Sequence, residues 1–84
     1  MDKAAVLTVL AAFRVALERY GVRAERVVLF GSFSHGNARE GSDIDVVIIS
    51  KDFAPMDFWQ RVEVLAEALC DVREPIEAIG MTPE

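Results

Sequence analysis

The sequence is poor in the residues that most often announce a special chemistry. It has one cysteine, Cys70, and one histidine, His35, among 84 residues. A single cysteine excludes a disulfide within the chain, so a reducing, cytoplasmic setting is expected, with Cys70 packed as a small apolar residue. No apolar run reaches the length of a membrane span, which excludes a transmembrane reading. The opening Met1-Asp2-Lys3 leads into a charged helical pattern rather than a signal peptide. Repeats, low-complexity tracts and linkers are also missing, so residues 1–84 are expected to form one domain, near the lower size limit for a self-sufficient core.

Basic residues are scarce too, nine Lys and Arg against fourteen Asp and Glu, for a net charge of −5. The imbalance is uneven. Residues 1–42 hold six basic and four acidic residues, whereas residues 43–84 hold three basic and ten acidic. A duplex nucleic-acid binder needs a basic face to gain from counterion release, so this distribution argues against one. What is abundant is apolar material, 52% of the chain. That is ample for a core and leaves apolar surface for a partner.

The apolar residues fall into two periodicities. Val6, Leu10, Phe13, Leu17 and Tyr20 recur at helical spacing over residues 3–20, with Asp2 placed to cap this helix and Gly21 to end it. A second helix is expected from Pro55 or Asp57 to Asp71 or Val72, with Asp57 and Gln60 at capping-box spacing and a stripe of Phe58, Val62, Leu65 and Leu69. Trp59 lies beside that stripe and is read as core or interface. Three short runs read as strands: Arg26 to Gly31, Ile44 to Ile49, and Pro75 to Ile79. A strand, helix, strand order of this length favours a parallel crossover, so the third strand is expected beside the second.

The chemistry concentrates between the first two strands, in residues 31–45. Gly31-Ser32 leaves the first strand directly, and Asp43-Ile44-Asp45 opens the second. Side chains alternate along a strand, so Asp43, Asp45, Val47 and Ile49 share one face, and Ile44, Val46 and Ile48 the other. Two carboxylates about 6–7 Å apart at the edge of a core repel each other unless a cation lies between them. A hard divalent ion is the natural candidate. A glycine lets backbone N–H groups approach a phosphate closely, and the adjoining serine hydroxyl adds a further donor. Glu77, flanked by apolar residues on the third strand, is the carboxylate whose position propensity explains least. Its other reading is an exposed residue on an edge strand, and Glu74 is the fallback. His35 reads as a solvated loop residue.

Gly31-Ser32, ten intervening residues, then Asp43-Ile44-Asp45 followed by Val46-Val47-Ile48 resembles the signature of the minimal nucleotidyltransferases, within the DNA polymerase beta superfamily. Gly36, Ala38, Arg39 and Ser42 also match in type. Phe33 and His35 depart from the pattern, standing where the family often has arginine. The resemblance implies an α/β (α+β) fold, a small mixed sheet of about three strands backed by two helices. It implies Mg²⁺ as cofactor, held by Asp43, Asp45 and Glu77, and an NTP, ATP first, bound through Gly31, Ser32, Arg39 and Ser42. NMP would pass to a hydroxyl, with Glu77 holding a second ion or taking the hydroxyl proton.

Members of this family also act as antitoxins toward HEPN-type helical partners, which implies such a partner and association with itself or another chain. Relatives commonly extend past the point where this sequence stops, so further polypeptide or a partner is expected to complete the domain. The rival reading is a non-catalytic antitoxin module that keeps the fold for binding. Gly-Ser and Asp-x-Asp favour an enzyme, and the missing arginines favour binding.

Overall fold

The structure, a computed structural model, describes residues 3–30 and 44–84. In chain order it holds helix α1 (Lys3–Arg19), strand β1 (Arg26–Phe30), strand β2 (Ile44–Ile49), a single 3-10 turn (Lys51–Phe53), helix α2 (Phe58–Val72) and strand β3 (Ile76–Met81). The sheet order is β1-β2-β3. β1 runs antiparallel to β2, and β3 runs parallel to it as the crossover length anticipates, so the sheet is mixed, as the family resemblance implies.

Both helices cover one face of the sheet. From α1, Val6, Leu10, Phe13 and Leu17 are buried, which is the expected stripe, and Ala16 joins them. They meet Ile44, Val46 and Ile48 of β2 and Ile76 of β3 in one apolar cluster. Tyr20, the last residue of the expected stripe, sits at the margin. Its hydroxyl donates to Asp71 Oδ2 at 2.9 Å, and Arg19 pairs with the same carboxylate at 3.8 Å, tying the C-terminal ends of the two helices together. Gly21 ends α1 at φ 88°, a conformation that suits a residue without Cβ.

α2 begins as its sequence predicts. The Asp57 carboxylate accepts from the Gln60 N–H at 2.8 Å while Gln60 Oε1 accepts from the Asp57 N–H at 2.9 Å, a complete capping box. Its expected apolar stripe is covered only in its second half, where Leu65 is buried and Leu69 packs against the core. Leu65 and Ala68 are the buried residues. Phe58 is 67% exposed and Val62 40%, so the first half of the stripe is left uncovered. Trp59, 73% exposed, is not core, and Cys70 is exposed rather than packed.

β3 also differs from expectation, running two residues further to Met81. Gly80 lies inside it over the buried Phe53 ring; a Cβ at Gly80 would stand 2.8 Å from Phe53 Cζ. A close approach, rather than a chain end, accounts for this glycine. One end of the sheet is knitted by polar contacts from buried Ser50. Its Oγ donates to the Arg23 carbonyl at 2.8 Å and accepts from the Asp52 N–H at 3.1 Å. Its N–H donates to the Met81 carbonyl at 2.9 Å. Across the same junction Glu25 Oε2 accepts from the Lys51 N–H, and Asp52 Oδ2 from the Arg23 N–H.

Candidate active site

The second face of the sheet has no helix over it among the described residues, and the strand registers fix what it carries. Phe30 pairs with Asp45 and Asp45 with Glu77; Val28 pairs with Val47 and Val47 with Ile79; Arg26 pairs with Ile49 and Ile49 with Met81. Paired residues point to the same side, so this face is a set of three rows. The first holds Phe30, Asp45 and Glu77. The second is apolar, and the third adds Arg26 at its β1 end.

The apolar run Val27-Val28-Leu29-Phe30 of β1 reads, from sequence, as a buried strand. Instead Val28 and Phe30 are each 37% exposed, because with both helices on the opposite face the β-branched run shields only Val27 and Leu29. The missed signal lies in the Asp45 phase itself. A strand whose face opens with a carboxylate is open to water there, so Val47, Ile49 and their cross-strand partners share that exposure.

Asp45 and Glu77 are therefore brought together, on neighbouring parallel strands whose axes lie about 4.8 Å apart. Asp45 is half-buried at the start of β2, and Glu77 is exposed on β3. Glu74, the alternative to Glu77, precedes β3 and is not in register with Asp45. Gly31, Ser32, Arg39, Ser42 and Asp43 lie outside the described residues, as does His35. Among the described residues no group of three or more His, Cys, Asp and Glu side chains could hold a metal ion. The described share of the site is a pair.

The family follows from the match to known sequences. The nucleotidyltransferase domain profile covers residues 11–78, from α1 to β3 and across the whole Gly31–Asp45 stretch. The chain belongs to the nucleotidyltransferase domain family, and so to a family of transferases. No curated protein matches it. A crystal structure of a Sulfolobus solfataricus protein, described as a nucleotidyltransferase candidate, is similar in fold at a TM-score of 0.61 and 21% identity, over 99% of this chain and 78% of that one. Among the described residues no helix is long and apolar enough to cross a membrane.

Proposed function

We propose that the domain transfers NMP, with ATP as the first nucleotide to test, to a hydroxyl on a partner protein, as the antitoxin of a pair with a HEPN-type helical partner. The observation that carries this reading is the registered pair of Asp45 and Glu77 at one end of an open sheet face. Two adjacent carboxylates in a mostly apolar face are an expensive arrangement for structure alone, and they suit a hard cation shared with phosphate oxygens.

The donor set fits Mg²⁺, which commonly uses one or two carboxylates and completes its shell with phosphate oxygens and water. Asp45 and Glu77 would hold it together with Asp43. When bound, the ion would supply charge neutralisation at the phosphates. Gly31 and Ser32 would bind the β- and γ-phosphates, with Arg39 and Ser42 contributing, as the family resemblance implies. Glu77, the more exposed of the pair, is suited to take the proton of the attacking hydroxyl. A new P–O bond would form between the acceptor oxygen and the α-phosphorus while the α–β phosphoanhydride bond breaks, releasing pyrophosphate.

A protein acceptor is favoured over a small molecule because the described face is open, whereas small-molecule sites bury most of their ligand. The apolar row Val28, Val47, Ile79 beside the carboxylates suits a protein surface. The same row supports the second reading, a binding module without catalysis.

Incubation with α-labelled ATP and Mg²⁺, with and without the helical product of an adjacent gene, separates the two. Label on the partner that Asp45→Asn abolishes supports transfer to protein. A stable complex with no label, under conditions where ATP and Mg²⁺ bind, supports the binding module. Efficient labelling of a small molecule or an RNA end, with none on protein, overturns the choice of acceptor.

A further inference from the structure

The outer edge of β3 is one of the two edges of the described sheet. No described strand pairs with it, since β3 ends the sheet order. The Ile44 N–H donates to the Pro75 carbonyl and the Ser50 N–H to the Met81 carbonyl. The odd-numbered positions of β3 therefore address β2, and the even-numbered positions turn their main chain outward. The Ile76 N–H is occupied locally by the Glu74 carbonyl at 2.8 Å. Ala78 and Gly80 remain as the outward-facing pair. Arg61 Nη1 reaches the Gly80 carbonyl at 3.5 Å, a long contact that leaves the second lone pair of that oxygen usable.

Sheet edges are usually guarded by lysine, proline, bulges or a covering element. Here the strand reads Ile76-Glu77-Ala78-Ile79-Gly80-Met81, with no lysine or proline and a single charge near one end. Its flanks are largely apolar, with Arg61 and Asp57 the charged residues on the helix side. Ile79 and Met81 are exposed on the open face, and Phe58 and Val62 project on the helix side. Between α2 and β3 runs a groove of about 500 Å³, mostly apolar, with Phe58, Val62, Leu65 and Ala78 in its lining and two charged residues, Asp57 and Arg61, among them. Its floor is made of the two small residues whose main chain faces outward.

We infer that a second copy of this chain adds to this edge, β3 against β3 in antiparallel register centred on Ile79. The register is self-complementary. Ala78 of each copy lies opposite Gly80 of the other, so the outward N–H and C=O groups of both residues are paired symmetrically. On the helix side Gly80 is already packed on Phe53, so there the contact between copies falls to the exposed Phe58 and Val62 beside the paired strands.

The charge pattern selects this register. Glu77 falls opposite Met81 of the other copy, and the two Glu77 residues stand four residues out of step, roughly 13 Å along the strand and beyond the Debye length of about 8 Å at physiological salt. Centring the pair nearer Glu77 would bring the carboxylates together.

Self-association through the open face is disfavoured, because it would bury the Asp45 and Glu77 carboxylates of both copies without the cation and phosphates that offset their charge. Edge pairing joins two sheets into one and leaves both carboxylate pairs uncovered, so it stands independently of the transfer reaction.

The test is sedimentation equilibrium over a wide concentration range, together with amide hydrogen exchange of the intact chain. A monomer–dimer equilibrium is expected, with the Ala78 and Gly80 amides exchanging at least about tenfold more slowly at high than at low concentration as they become paired. Each copy carries net charge −5, so raising the salt should tighten the dimer. Ile79→Lys, at a position already 53% exposed, should weaken the dimer about tenfold or more while leaving the monomer folded by circular dichroism. Val28→Lys, on the same face but on β1, should leave dimerisation unchanged. A chain that stays monomeric, Ala78 and Gly80 amides whose exchange does not respond to concentration, or a dimer lost equally in Val28→Lys would each overturn the proposal.

Discussion

Asp45 and Glu77 stand side by side, one from each of two parallel strands, in direct register across β2 and β3. Thirty-one residues of intervening chain, including the whole of α2, return the second carboxylate to the first. The crossover sets this distance, and the single-residue phase of β3 sets the face.

Holding these two groups together without a cation should destabilise the domain. Asp45→Asn is expected to raise the melting temperature of the metal-free protein by about 2–4 °C, the shift for roughly half a kcal/mol in a domain of this size. It should also reduce the stabilisation by Mg²⁺ with ATP, which for the native chain reaches about 2.7 kcal/mol at a hundredfold excess over the dissociation constant. Paired thermal melts with and without Mg²⁺ and ATP measure both effects. A lower metal-free melting temperature would make Asp45 a structural hydrogen-bonding residue.

Gly80 is held to glycine by Phe53. Gly80→Ala places a methyl 2.8 Å from the ring carbon Cζ, closer than carbon atoms pack, so the buried ring must shift. A loss of about 1–3 kcal/mol is expected by urea denaturation. Combining it with Phe53→Leu should cost less than the sum of the two single changes by about 1 kcal/mol, because the colliding atoms are then gone. Additive losses would rule out the collision.

Ser50 is fully buried and links β2 to the connection before β1 through its hydroxyl. Ser50→Ala removes the donor to the Arg23 carbonyl and the acceptor for the Asp52 N–H. The expected cost is about 1–2 kcal/mol, with an unchanged denaturant slope. An unchanged midpoint would show that water replaces both bonds without penalty.

The Tyr20 hydroxyl has its pKa raised above 10.0, first by its hydrogen bond to Asp71, then by desolvation and by the nearby charges of Asp71 and Glu67. Ionisation of the phenol breaks the bond and sets it against a carboxylate. The contribution of this pair to stability is therefore fully present below pH 10 and lost as the pH rises through the raised value. Melting temperatures followed from neutral to strongly alkaline pH should fall more steeply for the native chain than for Tyr20→Phe. Parallel curves would show that the bond adds nothing to stability.

Local sequence determined most of the elements of this protein. The spacing of Val6, Leu10, Phe13 and Leu17, the Asp57–Gln60 box and the β-branched runs set helix and strand positions, because each is decided by contacts within a few residues. The parallel placement of β3 was legible from the crossover length, whereas the apolar flanks of Glu77 left a site residue and an exposed edge residue even, and only the family resemblance chose between them. The family signature carried Gly31, Ser32 and Asp43, which lie outside the described residues.

Tertiary structure alone decided which faces are covered. Phe58 and Val62 belong to the expected stripe and Trp59 lies beside it, yet all three are exposed, while Leu65 and Ala68 further along the same helix are buried. Val28 and Phe30 have the composition of a buried strand, yet both helices lie on the other side. Apolar periodicity reports that a face can be buried. Whether anything arrives to bury it depends on the packing of elements distant in sequence, which no local pattern encodes.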